Sequence, residues 1–422
     1  MAATDYYYRQ TGKVYFLIVV VLSFLYTLLI KTQISRANVF IVVFLSGMTG
    51  VLNYFYQGKY RILLAAEGRS YIVTNINTFI HTGTSITKAI LLSSGFNVAA
   101  VQTANFVFCL IQIIVYEIYM KKQYPWLDCK VKPSFDAIKQ RHAVLIHQIT
   151  YLIFNNTDVI ILTIFTSLKE VSVYSMYAMI YGMVKAFAVT LYEGYTYAIG
   201  QAYNTDRERF TRMINAYEVV SIMVTFSLYC ICRILIVPFL KLYTAGVYDI
   251  SYIDGYLPWL FASYYLLHNA RTASATVINI SQHFEDTKWR SVLESIINVS
   301  VSLACVNKFG IYGVLMGTIV ALLYRTNDMI IYAARILNRS CWITYRRWFL
   351  NLAAFGCVSL LINQISFGAK NYLQLFLSAL VISVLTSSFF VLVNVLFERE
   401  SAKYVWQIGR NMICSFRKRF VH

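Results

Sequence analysis

Three basic side chains, Lys185, Arg271 and Arg325, each fall near the middle of a long apolar segment. On insertion scales a cation at the centre of a bilayer costs about 2.5–3.5 kcal/mol, so such residues face a partner or a hydrated interior rather than lipid. Counted from the outer ends of their predicted helices, all three lie about 21 Å along the axis. Cations at one depth predict a shared positive interior that accepts an anionic solute. Lys88 joins them as a candidate substrate contact, although it lies nearer the outer end of its segment and can extend toward that surface.

The acids within apolar segments are Asp158, Glu193, Glu218, Glu294 and Asp328. Asp328 follows Arg325 by one helical turn, which allows a local ion pair in place of a substrate contact. Arg271 has no acid within a turn of its own helix, so its partner is another helix or a ligand. Glu193 is two turns from Lys185, too far for a direct bond. Asp158 and Glu193 are candidates for carrying a coupling proton or cation, or else are structural carboxyls satisfied by hydrogen bonds. Glu218 and Glu294 read as solvated groups near the inner ends of their helices.

The elements that must hold these residues are read from hydropathy. Of 422 residues, 58% are hydrophobic and 13% charged, against roughly 25% charged in soluble domains. The apolar residues gather in runs long enough to cross about 30 Å of hydrocarbon as helices. Twelve segments qualify: 13–31, 37–57, 71–93, 97–120, 142–166, 171–200, 213–243, 256–281, 289–307, 311–334, 347–365 and 372–397. The expected fold is therefore all-α, a polytopic membrane protein. Segment 142–166 is the most polar, with His147, Gln148, Asn155, Asn156 and Asp158, as befits a helix lining a cavity.

Lys and Arg concentrate in alternate loops. The sparse set holds only Lys31, Arg36, Lys169, Lys308 and Lys370. By the positive-inside rule both termini are then cytoplasmic, and the net charge of +18 is mostly a topology signal rather than a nucleic-acid footprint. The expected organisation is an amino-terminal lobe of four spans (1–120), a cytoplasmic linker (121–141) and a lobe of six spans (142–346). Two further spans (347–397) and a basic tail (398–422) follow, the tail either solvated or lying on the anionic inner leaflet.

Other chemistry is thinly represented. The eight cysteines are scattered, mostly within apolar runs, and predict neither a disulfide framework nor a metal site. No phosphate-binding glycine loop or nucleophile–base arrangement can be assembled, so no cofactor and no enzymatic activity are expected. Gly313 and Gly317, in GVLMG, form a small-xxx-small face for close helix packing.

Several stretches carry a resemblance: AAEGRSYIVTNIN (65–77), NNTDVIILTIF (155–165), VSVYSMYAMI (171–180), FLKLYTAGVY (239–248) and, most specifically, the run from Asn269 to Leu323 with its charged turn. Through them the chain resembles the bacterial polysaccharide flippases of the Wzx type, which move O-antigen and capsule repeat units. These belong to the multidrug/oligosaccharidyl-lipid/polysaccharide exporter superfamily. The resemblance implies two pseudo-symmetric helical bundles, MATE/MurJ-like, in the bacterial inner membrane. Their cationic cavity takes the pyrophosphate head of an undecaprenyl-linked oligosaccharide, and the lobes rock in alternating access. By position Arg271 matches a basic residue common in the family and Asp158 a commonly acidic one; Lys185 and Arg325 rest on depth alone. Partners implied are the lipid-linked cargo and anionic lipids, with a polysaccharide polymerase and a chain-length regulator downstream.

Two departures from the family pattern stand out. The family has fourteen spans, and the opening TDYYYRQTGKVY looks like the turn before its third helix, so an incomplete amino-terminal lobe is expected here. Ser281-Gln282 replaces a Gly that usually precedes the charged turn. Rival readings are a truncated remnant, a cation-coupled drug exporter and a membrane polymerase. The polymerase is disfavoured by the shortness of every outer loop.

Overall fold

The computed structural model describes all residues except 1, 30–34, 128–140, 249, 364–370 and 421–422; within helices, the side chains of 29, 141, 362–363 and 411–420 also lie outside the description. Most of the expected linker, and Lys31 and Lys370, fall outside the described residues. Among those described the regular structure is entirely helical. The chain divides into two units, Met1–Lys139 and Gln140–His422.

The first unit contains α1 (Ala2–Leu29), α2 (Arg36–Leu52), a π-helical turn (Asn53–Gln57) leading into α3 (Gly58–Ala66), α4 (Ser70–Ser93) and α5 (Val98–Gln123). The π turn is tied by Gln57 Nε2 donating to Asn53 Oδ1 at 2.7 Å, and just beyond it Lys59 Nζ pairs with Asp5 Oδ1 at 2.6 Å. Outward residues such as Leu17, Phe24, Phe79 and Ile118 are exposed and apolar, the surface that lipid tails require.

The second unit begins with α6 (Arg141–Phe165), α7 (Leu168–Glu193), α8 (Thr196–Thr205) and α9 (Arg207–Tyr243). A broken pair, α10 (Leu257–Ala270) and α11 (Thr272–Ile280), precedes α12 (Phe284–Phe309) and α13 (Ile311–Ile336). Then come α14 (Trp342–Asn363), α15 (Tyr372–Phe397) and α16 (Arg399–Phe420). Local chemistry sets the boundaries. Ser167, Asp206 and Asn371 cap α7, α9 and α15 by accepting from backbone amides three residues on. Gly310, at φ +50°, makes the sharp reversal between α12 and α13.

The α12–α13 pair packs closely where the glycine face predicts it. A methyl group at Gly313 would sit 2.6 Å from the Cys305 carbonyl oxygen, and one at Gly317 would sit 2.7 Å from the Ser302 nitrogen. Elsewhere the core is unusually aromatic. Tyr177, Phe261, Tyr181 and Tyr265 stack in sequence, with ring centroids 5.4, 5.8 and 5.7 Å apart. Each tyrosine hydroxyl is satisfied: Tyr177 donates to the Tyr252 carbonyl, Tyr181 to Pro258 and Tyr265 to Ala178. A ring can fill a membrane-protein core this way without stranding its polar tip.

The described residues of all twelve predicted segments fall mainly on helices, and among the described residues eight helical stretches are long and apolar enough to cross a membrane, by length and composition alone. The other four predicted spans correspond to α4, α7, α10–α11 and α14. The chain is a multi-pass membrane protein. Two segments expected as continuous are broken: 171–200 divides between α7 and α8, and 256–281 divides at Arg271. Boundaries shift too, since α9 starts at Arg207 rather than near 213 and α12 at Phe284 rather than near 289.

Candidate functional site

Arg271 is the residue at which α10 stops and α11 begins, with φ −81° and ψ 0°. Polar neighbours take up the groups freed by the break. Thr272 Oγ1 donates to the Asn269 carbonyl at 2.5 Å, while Asn269 Nδ2 donates to the Tyr229 hydroxyl and to the Tyr265 carbonyl. Interrupted helices within membranes persist only where side chains or a cavity satisfy the exposed backbone, and they commonly adjoin substrate sites.

A cavity of about 360 Å³ opens beside this break, lined from α6 by His147, Gln148 and Tyr151 and from α11 by Asn279. Its charged wall is made by Arg271, by Glu294 and Ser291 of α12, and by Arg325 of α13. Glu294 stands between the two arginines: Arg271 Nη1 lies 2.7 Å from Oε1, and Arg325 Nε lies 3.5 Å from Oε2. Arg325 also pairs with Asp328 Oδ2 at 2.7 Å and donates to Ser291 Oγ at 3.0 Å. Asp328 is held on its other oxygen by Arg290. Ser291 in turn meets His147 Nδ1 at 2.8 Å, whose Nε2 lies 3.1 Å from the Phe284 carbonyl.

Of the side chains that line the cavity, Arg271 and Arg325 outnumber the one carboxylate, Glu294, by a single positive charge, and Asp328 behind them is shared between Arg325 and Arg290. Lys185 is half-buried on α7 and meets His268 Nε2 at 3.4 Å, three residues before Arg271, but it does not line the cavity. Two of the three predicted mid-depth cations therefore share one chamber, with Lys185 close behind. Lys88 belongs to α4 in the other unit.

Asp158 forms a separate polar site. It is 2% exposed on α6 and accepts from the Tyr174 hydroxyl at 2.8 Å and from Thr318 Oγ1 at 2.8 Å. Among the described residues it has no ion-pair partner. Asn298 Nδ2 donates to Thr318 Oγ1 at 2.8 Å, yet Asn298 Oδ1 is buried without a hydrogen-bond partner. Nearby, the Val314 carbonyl accepts from Ser302 Oγ and from Thr318 Oγ1, both at 3.3 Å. Carboxylate, amide, hydroxyl and carbonyl oxygens thus converge from four helices, α6, α7, α12 and α13.

Three expectations need correction. Glu294 and Glu218, read as solvated, are 7% and 1% exposed and carry ion pairs. The helix starts explain this: with α12 beginning at Phe284, Glu294 lies about 15 Å along the helix rather than at its mouth. Glu193, expected deep in a span, is the last residue of α7 and is exposed. Ser291 on the cavity wall and Asn298 beside Asp158 carry no mark in the sequence, since neutral side chains give no signal against an apolar background. The unpaired Arg271 was the usable clue, because it required an acid from another helix.

The sequence matches no family model and no curated protein. Its fold is similar to that of the lipid II flippase MurJ in an inward closed conformation, with a TM-score of 0.61 and 12% identity over 94% of this chain and 84% of that one. A multidrug resistance MATE family transporter of the MOP superfamily, outward-facing, aligns over 80% of this chain and 78% of its own at 15% identity, with a TM-score of 0.49. At such identities the likeness is one of fold.

Proposed function

We propose that the protein is a flippase for an anionic lipid-linked oligosaccharide, an undecaprenyl-pyrophosphate repeat unit destined for O-antigen, capsule or exopolysaccharide, in the bacterial inner membrane. The observation that carries this reading is the Arg271–Glu294–Arg325 wall at a broken helix. Two guanidinium groups share one carboxylate, so the site holds a positive surplus that an incoming pyrophosphate satisfies. The likeness in fold to a lipid II flippase supports it. A cationic drug, the cargo of the rival exporter reading, would meet a wall of its own sign. In this reading both termini are cytoplasmic and units Met1–Lys139 and Gln140–His422 act as the lobes of an alternating-access cycle.

Asp158 supplies the coupling site. A buried carboxylate with no counter-cation among the described residues, next to an amide oxygen with no hydrogen-bond partner among them, is arranged to take up a monovalent cation or a proton. Lys185 and Lys88 are held as secondary contacts for the anionic headgroup.

The test is complementation of a strain lacking its own repeat-unit flippase. Arg271→Ala is combined with Glu294→Gln, so that no buried carboxylate is left unpaired. The parent is expected to restore surface polysaccharide and the double variant to lose it. Equal restoration by a double variant present at parental abundance would reject the cationic-wall mechanism.

A further inference from the structure

A second ionic cluster lies where α9 starts, α13 turns into α14, and α15 meets α16. Glu218 of α9 is paired with Arg339 Nη2 at 2.8 Å and with Arg347, and it accepts from Thr344 Oγ1 at 2.6 Å. Arg347 continues to Glu398 Oε2 at 2.9 Å, and Arg346 binds the other oxygen of Glu398. These ties fix three chain connections at one end of the bundle.

Beside them opens a cavity of about 580 Å³, with Arg212, Arg346, Arg347 and Arg399 set against Glu398 and Glu400. The arginines of the cluster outnumber its acids even when Glu208, which pairs with Arg212 at 3.6 Å, is included. The Nε atoms of Arg339 and Arg347 are buried without hydrogen-bond partners. Ser401 lines this cavity and also a neighbouring one of about 480 Å³. The neighbour is a groove between α9, α15 and α16 with an apolar wall that includes Met223, Val391, Val395 and Trp406.

We propose that this pair of chambers binds an anionic phospholipid, with its phosphate at Arg346, Arg347 and Arg399 and an acyl chain in the adjoining groove. The two parts match the two parts of such a lipid: an arginine-lined chamber and a neighbouring apolar one, with Ser401 in the lining of both. Helix α16 suits the same surface. It carries six basic residues against one acidic, and Tyr404 packs it onto the core. The bound lipid completes the contact of α16 with α9 and α15. The Arg271–Arg325 cavity takes no part, so the inference stands whatever the cargo.

The experiment is native mass spectrometry of the purified full chain in detergent with added phosphatidylglycerol or phosphatidylcholine. The parent is expected to retain phosphatidylglycerol at least fivefold better than phosphatidylcholine. Arg346→Gln with Arg399→Gln should abolish that preference; both side chains are exposed, and Glu398 keeps Arg347 as its partner. Gly409→Leu should lower retention of both lipids, since a side chain there enters the groove without striking a neighbour. Equal retention of the two lipids by the parent would overturn the proposal. So would an undiminished preference in the arginine variant, or parental retention in Gly409→Leu.

Discussion

At the scale of single residues, two buried carboxylates answer to different partners. Glu294 is neutralised by two arginines, whereas Asp158 has no ion-pair partner among the described residues and accepts from the hydroxyls of Tyr174 and Thr318. Those donors suit either a bound cation or a proton as the missing charge. Asp158→Asn keeps the size and the ability to accept from Tyr174 and Thr318, and it removes the charge. It should reduce cargo translocation in proteoliposomes about tenfold and abolish any dependence of the rate on a sodium or proton gradient. A variant that translocates at the parental rate with the gradient dependence intact would exclude Asp158 from coupling. Of these residues, Arg271 and Arg325 were legible in the sequence because a guanidinium within an apolar run is conspicuous. Glu294 was not, because its depth depends on where α12 begins. That start is set by a turn in which Gln282, without glycine's freedom, adopts φ +59°, and hydropathy does not register such a turn.

At the scale of elements, the breaks matter more than the helices. The existence and order of the helices could be read from apolar runs, while the division at Arg271 could not, since α10 and α11 are each apolar and adjacent. What holds α10 at its other end is Asp254, which accepts from the amides of Tyr256 at 2.7 Å and Leu257 at 2.8 Å and from the Tyr312 hydroxyl. Burial alone would raise this carboxyl, but the three donors hold it below its ordinary value of 3.8. A carboxylate whose folded pKa is depressed stabilises the fold above the unfolded pKa, and that contribution is lost as pH falls through the folded value. Asp254→Asn should therefore cost about 1 kcal/mol at pH 7, the size of a helix cap. Thermal unfolding in detergent should show the gap between parent and variant shrinking as pH falls below about 4. A gap that persists unchanged at pH 3 would deny the charged cap its role.

At the scale of the whole molecule, the class of the protein was legible and its cargo was only suggested. Length, hydropathy and the unequal loop charges fixed a polytopic helical bundle, and the fold likeness to a lipid II flippase agrees with it. Net charge alone misleads here. The surplus of the cavity wall is a single charge, because Glu294 and Asp328 cancel much of what the arginines bring. A wall so nearly balanced discriminates by charge-assisted hydrogen bonds at close range, each worth about 1.5–3 kcal/mol, rather than by a long-range field. The most direct test compares binding of an undecaprenyl-pyrophosphate oligosaccharide with that of undecaprenol, which lacks the anion, to the purified full chain in nanodiscs. The parent should bind the pyrophosphate at least tenfold more tightly, about 1.4 kcal/mol or more, and Arg271→Ala with Glu294→Gln should bind the two ligands alike. Equal affinity of the parent for both ligands, or full discrimination by the double variant, would contradict the assignment of this cavity to an anionic lipid-linked cargo.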